Sequence, residues 1–428
     1  MALTKASVLH YWSARFGAIP IIGGNPVHTR SSIAKWVDQM GMVRTSPVNT
    51  PRSEWATIDG ERRPVVRLER ARTNQMVRSE EFDNASWTKI RTSISANATI
   101  APDGTLTADK AVEDGSNNTH LAANQAGSPT ASTVQTISVF AKPAGRNFIL
   151  LELAGKDGVA RYAYFNVSAG TIHTVSGLTD SGIEAVGGGW YRCWIAATSG
   201  AGGSTAQMSI YLASADNTAS YAGDSVSGVY LWGAQWETDG ARVSSYIPTI
   251  GTNVTRTTDI FYWDFVAPPQ AMMAYFRIVR RHLGGRIFEI TNAVEGDPRF
   301  IVYFSPINVI HATGASSVAV GAAGDGAIGD TIEGVALLKS DGKIRYIQSV
   351  NGAAVTDTGE SGALALASAW AGPRLYLNSD GGNAGDVGIS DFAELKLVKY
   401  ADVVGATAQA IMDELRAFEL APSGEVVA

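Results

Sequence analysis

The feature that most constrains this chain is the rhythm of its apolar residues. Short stretches of alternating apolar and polar residues follow one another at 135–142, 147–153, 160–167, 191–196, 207–213 and 229–237. No helical period fills the gaps between them. Turn-forming clusters do so instead, among them Pro102-Asp103-Gly104, Ser168-Ala169-Gly170 and Gly187-Gly188-Gly189, where proline presets φ and glycine supplies the positive φ that tight turns demand. Short strands at this spacing predict a sandwich or jelly roll over residues 71–259 and argue against a βαβ fold.

A second block of the same kind occupies residues 260–428. Strand-like runs lie at 274–281, 286–290 and 300–304, and a ladder follows in which Ser340-Asp341-Gly342 and Asn351-Gly352 flank the run 343–350. Asp-Gly and Asn-Gly between alternating runs are strong local hairpin signals. After a last strand at 392–400, Ile411, Leu415 and Phe418 recur at helical spacing with no proline between them. One helix is therefore predicted over 407–420, with its apolar face on the second sandwich.

Residues 1–70 read differently. Gly23-Gly24, Pro26, Pro47, Pro51 and Pro64 interrupt a weak alternation, so this segment is expected to be an extended docking arm without a core of its own. It carries one small hairpin at 34–45 that turns through Asp38-Gln39-Met40-Gly41. The predicted fold class is mainly β: two tandem antiparallel β-sandwich (jelly-roll) domains, an N-terminal extended arm and one C-terminal helix.

Composition narrows the function classes. A chain of 428 residues has room for two or three domains. Its net charge of -6 lacks the basic excess with which proteins displace counterions from a phosphate backbone, so no nucleic acid is expected as a partner. The single cysteine, Cys193, excludes an intrachain disulfide and reads as a small buried residue in the run Tyr191-Arg192-Cys193-Trp194-Ile195. Residues 1–10 hold no long apolar stretch after Lys5, and nowhere do 18 apolar residues follow one another. Neither export by a signal peptide nor membrane insertion is expected.

Residues able to carry catalysis do not gather into a known constellation. His10, His28, His120, His173, His282 and His311 are scattered without zinc spacing, and no cofactor is expected. Gly223-Asp224-Ser225 matches the nucleophile string of some esterases but no Asp-x-x-His follows, so a turn is the expectation. The run Gly321-Ala322-Ala323-Gly324-Asp325-Gly326 lacks the Lys-Ser/Thr ending of a phosphate loop. Asp380 and Asp386, in an acidic glycine-rich loop, are calcium candidates, with a solvated hairpin loop as the competing reading. The chain is expected not to be an enzyme.

Aromatic residues carry the remaining functional signal, because rings stack on the apolar C-H faces of sugars while amides and guanidinium groups meet the hydroxyls. Strict alternation puts Tyr230, Trp232, Ala234 and Trp236 on an inner face, together with Tyr191, Cys193, Ile195, Met208, Ile210 and Leu212. Arg192, Trp194, Tyr211 and Gln235 then point outward. If their strands share a sheet, these four form a patch that either binds carbohydrate or is covered by another subunit.

Longer strings narrow the setting. Arg72-Thr73-Asn74, the run from Ser79 through Glu81-Phe82-Asp83-Asn84-Ala85-Ser86-Trp87, Ala101-Pro102-Asp103-Gly104-Thr105, Gly189-Trp190-Tyr191-Arg192, Leu231-Trp232-Gly233-Ala234-Gln235-Trp236-Glu237 and Ser245-Tyr246-Ile247-Pro248-Thr249 occur in that order. Over residues 65–260 they resemble a module of tailed-bacteriophage structural proteins whose fold is similar to carbohydrate-binding jelly rolls. Val43 to Arg52 looks like the hairpin preceding that module. Residues 261–420, with Arg374-Leu375-Tyr376-Leu377-Asn378 and Ala393-Glu394-Leu395-Lys396, resemble a laminin-G or concanavalin-like sandwich more loosely. The resemblance implies a virion structural protein of fibre, spike or decoration type and, with no disulfide available, a trimer. The coreless first 70 residues are expected to dock it on other virion proteins, and the lack of an export signal points to synthesis in the host cytoplasm. The resemblance also implies adsorption to host cell-surface polysaccharide. A polysaccharide-degrading tail spike and a purely architectural virion protein are the alternatives.

Overall fold

The computed structural model describes residues 8–13, 27–58, 61–127, 130–203, 205–238, 240, 242–264, 271–280, 285–291, 299–304, 308–313, 316–321, 324, 326–327, 329–364, 374–377, 390–399, 407–417, 419–420 and 426–427. The chain is built from tandem antiparallel β-sandwiches with one helix among the described residues. Two compact units result, one of residues 32–47 with 72–256 and the other of 1–31, 48–71 and 257–428.

In the 72–256 unit, one sheet has six strands in the order Asp180–Val186, Trp190–Thr198, Val134–Ala144, Gly228–Thr238, Ala108–Glu113, Thr92–Thr99. The facing sheet orders Thr171–Ser176, Ala160–Asn166, Phe148–Ala154, Ala206–Ala213, Asn117–Gly127 and Ser220–Ala222, with Thr88–Ile90 also paired to Asn117–Gly127. Between register shifts the core takes every second side chain of a strand, for example Ile137, Val139 and Ala141, Cys193, Ile195 and Ala197, and Met208, Ile210 and Leu212. Cys193 is buried and reduced, and burial pushes its thiol up. Few residues in a two-layer β core can be polar on that face without leaving a donor unmatched, which is why the alternation is so regular.

The alternation slips at several register shifts, and the one on the Gly228–Thr238 strand moves the aromatic residues. Opposite Val139 the Gly228–Thr238 strand inserts an extra residue, Gly233, with φ of 65°. Before this bulge Val229 and Leu231 enter the core, and after it Ala234 and Trp236 do. Tyr230 and Trp232 therefore leave the face that strict alternation assigned them and join Phe140, Trp190 and Tyr246 on the far side of the sheet. A β-bulge shifts the two-residue period by one, so every side chain beyond it changes face. A methyl group at Gly233 would stand 2.8 Å from Phe140 Cδ2, in a backbone region that L side chains avoid. Gly233→Ala should lower the stability of this unit by about 1–3 kcal/mol. An unchanged denaturation midpoint would show that the bulge does not require glycine at this position.

Residues 1–70 are not a separate arm. Val8–Ser13 pairs with Ser390–Lys399, Val27–Thr29 with Ile260–Asp264, and Glu61–Leu68 with both Ser53–Ile58 and Ser390–Lys399. Val66 and Leu68 are fully buried among Phe261, Trp263, Phe276 and Leu395. Pro64 breaks no ladder, because it lies opposite Trp55 in the part of its strand that has a single neighbour, where no second amide is required. The hairpin Ala34–Val37 with Val43–Ser46 belongs to the 72–256 unit: Val43 packs in the cluster of Phe140, Trp190 and Trp232, and its amide donates to the Pro102 carbonyl at 3.0 Å.

The second unit sandwiches a sheet in the order Thr356–Glu360, Ile344–Val350, Thr331–Leu338, Met272–Arg280, Ser390–Lys399, Glu61–Leu68, Ser53–Ile58 against one running Val27–Thr29, Ile260–Asp264, Arg374–Leu377, Gly285–Thr291, Arg299–Phe304, Asn308–Thr313, Ser316–Gly321. The helix Ala408–Ala417 buries Ile411, Met412 and Leu415, while Arg416 donates to Glu333 at 2.8 Å. Where the N-terminal and C-terminal strands of this unit meet, His28, Arg30, Arg52, Glu69 and Asp259 are all buried. His28 Nε2 lies 3.0 Å and Arg30 Nη1 2.7 Å from Asp259 Oδ1, and Arg52 donates to both Asp259 and Glu69. The Glu69 amide donates to Asp259 Oδ2 at 2.9 Å. Burial disfavours the Arg52 charge, but Asp259, Glu69 and Glu54 more than offset this and hold its pKa above the ordinary guanidinium range.

Candidate functional site

Three of the four patch residues chosen by alternation do share a face. Trp194 and Gln235 both lie opposite Ser138 in the register, and Arg192 Nη2 donates to Ser138 Oγ at 3.1 Å. Yet Trp194 and Gln235 are 0% exposed and Arg192 only 7%. The cover is intramolecular. Arg192 Nη1 donates to the Ser244 carbonyl at 2.8 Å, Gln235 Oε1 accepts from the Ile247 amide at 2.7 Å, and the Arg242 guanidinium sits 5.5 Å from the Trp194 ring. The irregular segment 242–249 thus seals this side of the sheet, and the outward carbohydrate patch is withdrawn. Alternation reports the face a side chain takes, not what lies over that face.

Tyr211 belongs to the other sheet. The register aligns rows across its outer surface, because directly opposed residues of antiparallel strands point the same way. One row is Ile90, Leu121, Tyr211, Leu150 and Tyr164, and the next is Thr88, Asn124, Ser209, Glu152, Tyr162 and Ser176. Phe148 opens a third row, between Ala213 and Asn166. Leu150 and Tyr164 are 7% and 5% exposed, because the chain after Ala206–Ala213 folds over that end: Ala219 packs with them, and the Tyr164 hydroxyl bonds to the Ala219 backbone. Phe148, Tyr162 and Tyr211 remain half-exposed. A shallow trough results, floored by aromatic rings and walled at one end by residues 214–219.

Glu152 lies in this trough on the Phe148–Ala154 strand, in the row between Tyr162 and Ser209. Its carboxylate makes no hydrogen bond or ion pair among the described residues, and burial alone raises its pKa above the usual carboxylate range. Burial also raises the Tyr211 phenol, with the Glu152 charge adding to it. Beside Glu152, Asn124 Nδ2 donates to Ser209 Oγ at 2.8 Å. At the edge, the ring of His173 meets Phe148 edge-on at 5.2 Å, and Thr174 binds Asp216 through its amide and hydroxyl, each at 3.0 Å. A half-desolvated acceptor among rings fits a ligand with hydroxyl donors and apolar faces.

Sequence reasoning named Tyr211 but missed Phe148, Glu152, Tyr162 and Tyr164. The signal was present in the runs 147–153 and 160–167, where Phe148, Leu150 and Glu152 and then Tyr162 and Tyr164 alternate against Ile149, Leu151, Ala163 and Phe165. What the sequence withheld was which strands are neighbours.

The remaining chemical candidates stay apart. Gly223-Asp224-Ser225 is a turn: Asp224 Oδ1 accepts from the Val226 and Ser227 amides, and the Asp224 amide donates to Glu113. Among the described residues no group of three His, Cys, Asp or Glu could hold a metal ion, and no helix is long and apolar enough to cross a membrane. Asp380 and Asp386 lie outside the described residues.

No family model matches the chain, and no curated protein matches it. Among solved structures, the chain is similar to the N-terminal CBM22-1-CBM22-2 tandem domain from Paenibacillus barcinonensis Xyn10C. That likeness has 10% identity and a TM-score of 0.24, over 78% of this chain and 99% of that one. It is too slight to assign a fold or a ligand.

Proposed function

We propose that this chain is a non-enzymatic carbohydrate-binding structural protein, and that the trough around Glu152 is where it holds a polysaccharide. The observation that carries this reading is the coincidence of half-exposed rings with an unpaired acceptor on one sheet face: Phe148, Tyr162 and Tyr211 around Glu152. Rings stack on sugar C-H faces, and a carboxylate that has lost water gains from bridging hydroxyls. The setting we assign is a bacteriophage particle, from the resemblance of residues 65–260 to virion modules, with the protein acting as a fibre, spike or decoration subunit made in the host cytoplasm. Its partners are then other virion proteins, further copies of itself in a trimer, and host cell-surface polysaccharide.

Binding residues contribute little to folding, so Tyr211→Ala should lower affinity for host-surface polysaccharide at least tenfold while shifting Tm by no more than a few degrees. Isothermal titration with purified capsule or wall polysaccharide, alongside a thermal melt, reads both quantities. Undiminished binding by the variant would take the trough out of consideration. Release of reducing ends from the same polysaccharide by the wild-type protein would instead favour a depolymerase.

A further inference from the structure

We infer that Glu152 sets the charge class of the ligand: the trough accepts a polysaccharide of neutral or amino sugars and rejects one built from acidic sugars. This rests on the reading of the trough as a carbohydrate site. The lysines and arginines on the strands of this sheet are Lys89 and Arg161, and both are committed. Lys89 Nζ donates to the carbonyls of Phe82, Asp83 and Asn84 at 3.1, 3.1 and 2.9 Å. Arg161 grips Asp157 through Nη1 at 3.0 Å and Nη2 at 2.7 Å.

Of the two histidines on these strands, His120 is fully buried, with its ring nitrogens 3.1 and 3.2 Å from the carbonyls of Arg91 and Tyr221. His173, at the rim, stands 4.0 Å from Asp216. A carboxylate or sulfate lying over these strands would thus meet Glu152 with no uncommitted guanidinium or ammonium among the described residues of the strands themselves. Recognition of acidic sugars is ordinarily built on arginine or lysine aimed at the anion. Here the uncommitted side chain, Glu152, has the opposite sign. Hydroxyl and ammonium groups, by contrast, both donate to a carboxylate, and Glu152 has its acceptor capacity uncommitted.

Specificity of this kind acts by rejection as much as by attraction, since the wrong ligand pays for an unpaired like charge at short range. Removing the charge should therefore narrow the gap between neutral and acidic ligands without needing to abolish binding. Glu152→Gln keeps the shape and retains one carbonyl acceptor.

The test compares matched polymers on wild-type protein and on the Glu152→Gln variant: a galactan against a polygalacturonate, a glucan against a polyglucuronate, and chitosan oligosaccharides as the ammonium-bearing arm. Wild type is expected to bind the neutral or amino member at least tenfold more tightly than its acidic counterpart. In the variant that ratio should fall at least tenfold, with chitosan losing the most. Wild-type preference for the acidic member would overturn the inference whatever the variant does, as would a ratio that the substitution leaves unmoved. Silence on every polymer, or binding indifferent to Tyr211→Ala, would instead overturn the carbohydrate reading of the trough and remove the inference with it.

Discussion

Replacing Trp194 with alanine is expected to cost the 72–256 unit about 3–5 kcal/mol, the penalty of emptying a tryptophan-sized volume from a packed interior. Alternation alone predicts the reverse, a solvent-facing ring whose loss the fold would barely register. The structure decides against it, because the ring has no exposed surface. It packs across Gly182 on the neighbouring strand, where a Cβ would stand 2.3 Å from its Nε1, and Arg242 lies over its face. Trp232→Ala should fall in the same range, since Trp232 is as deeply buried, beside Phe140 and Tyr246 at ring distances of 5.2 and 4.7 Å. Denaturant unfolding monitored by far-ultraviolet circular dichroism measures both. A loss under ~1 kcal/mol for Trp194→Ala would mean that segment 242–249 does not seal the sheet, given how steeply core deletions scale with the volume emptied.

Asp259→Asn should destabilise the other unit by about 3–5 kcal/mol, although it changes almost no volume. Asp259 takes Arg30 and His28 on one oxygen, and Arg52 with the Glu69 amide on the other. An amide at this position cannot balance the two guanidinium groups, and it turns donor hydrogens toward one of them. The residual charge is buried, where counterions do not reach, so added salt should not restore the loss. Urea midpoints of the variant at low and at high sodium chloride provide the check. A variant as stable as wild type would show that the cluster tolerates an unmatched positive charge.

Much of the architecture was legible in the sequence because a two-layer β fold writes itself as a period of two. The runs 135–142, 160–167 and 229–237 fall on the strands Val134–Ala144, Ala160–Asn166 and Gly228–Thr238, and the helix expected over 407–420 is Ala408–Ala417. What escaped has three physical causes. A one-residue insertion at Gly233 leaves composition unchanged yet reverses the faces on either side of it. Stretches before residue 70 are punctuated by proline, and several of their strands have partners hundreds of residues away, as with Val8 opposite Val398. Burial by an aperiodic segment, Ser244 to Thr249 over Arg192 and Gln235, has no periodic signature at all. The trough fell between these cases: its faces were readable in 147–153 and 160–167, while the adjacency that gathers Tyr211, Glu152 and Tyr162 was not.

The routing of the chain carries a consequence for synthesis on the ribosome. Residues 72–256, with the 32–47 hairpin already made, hold everything their sandwich needs once residue 256 has emerged. The other sandwich must wait. Its strands Val27–Thr29 and Glu61–Leu68 pair with Ile260–Asp264 and Ser390–Lys399, and Arg30 and Arg52 find Asp259 only after the intervening unit has been made. Pairings of such long sequence separation form slowly, and until they do, strand edges and apolar surface stay open. During that interval the early strands are the segment of this chain most in need of a chaperone.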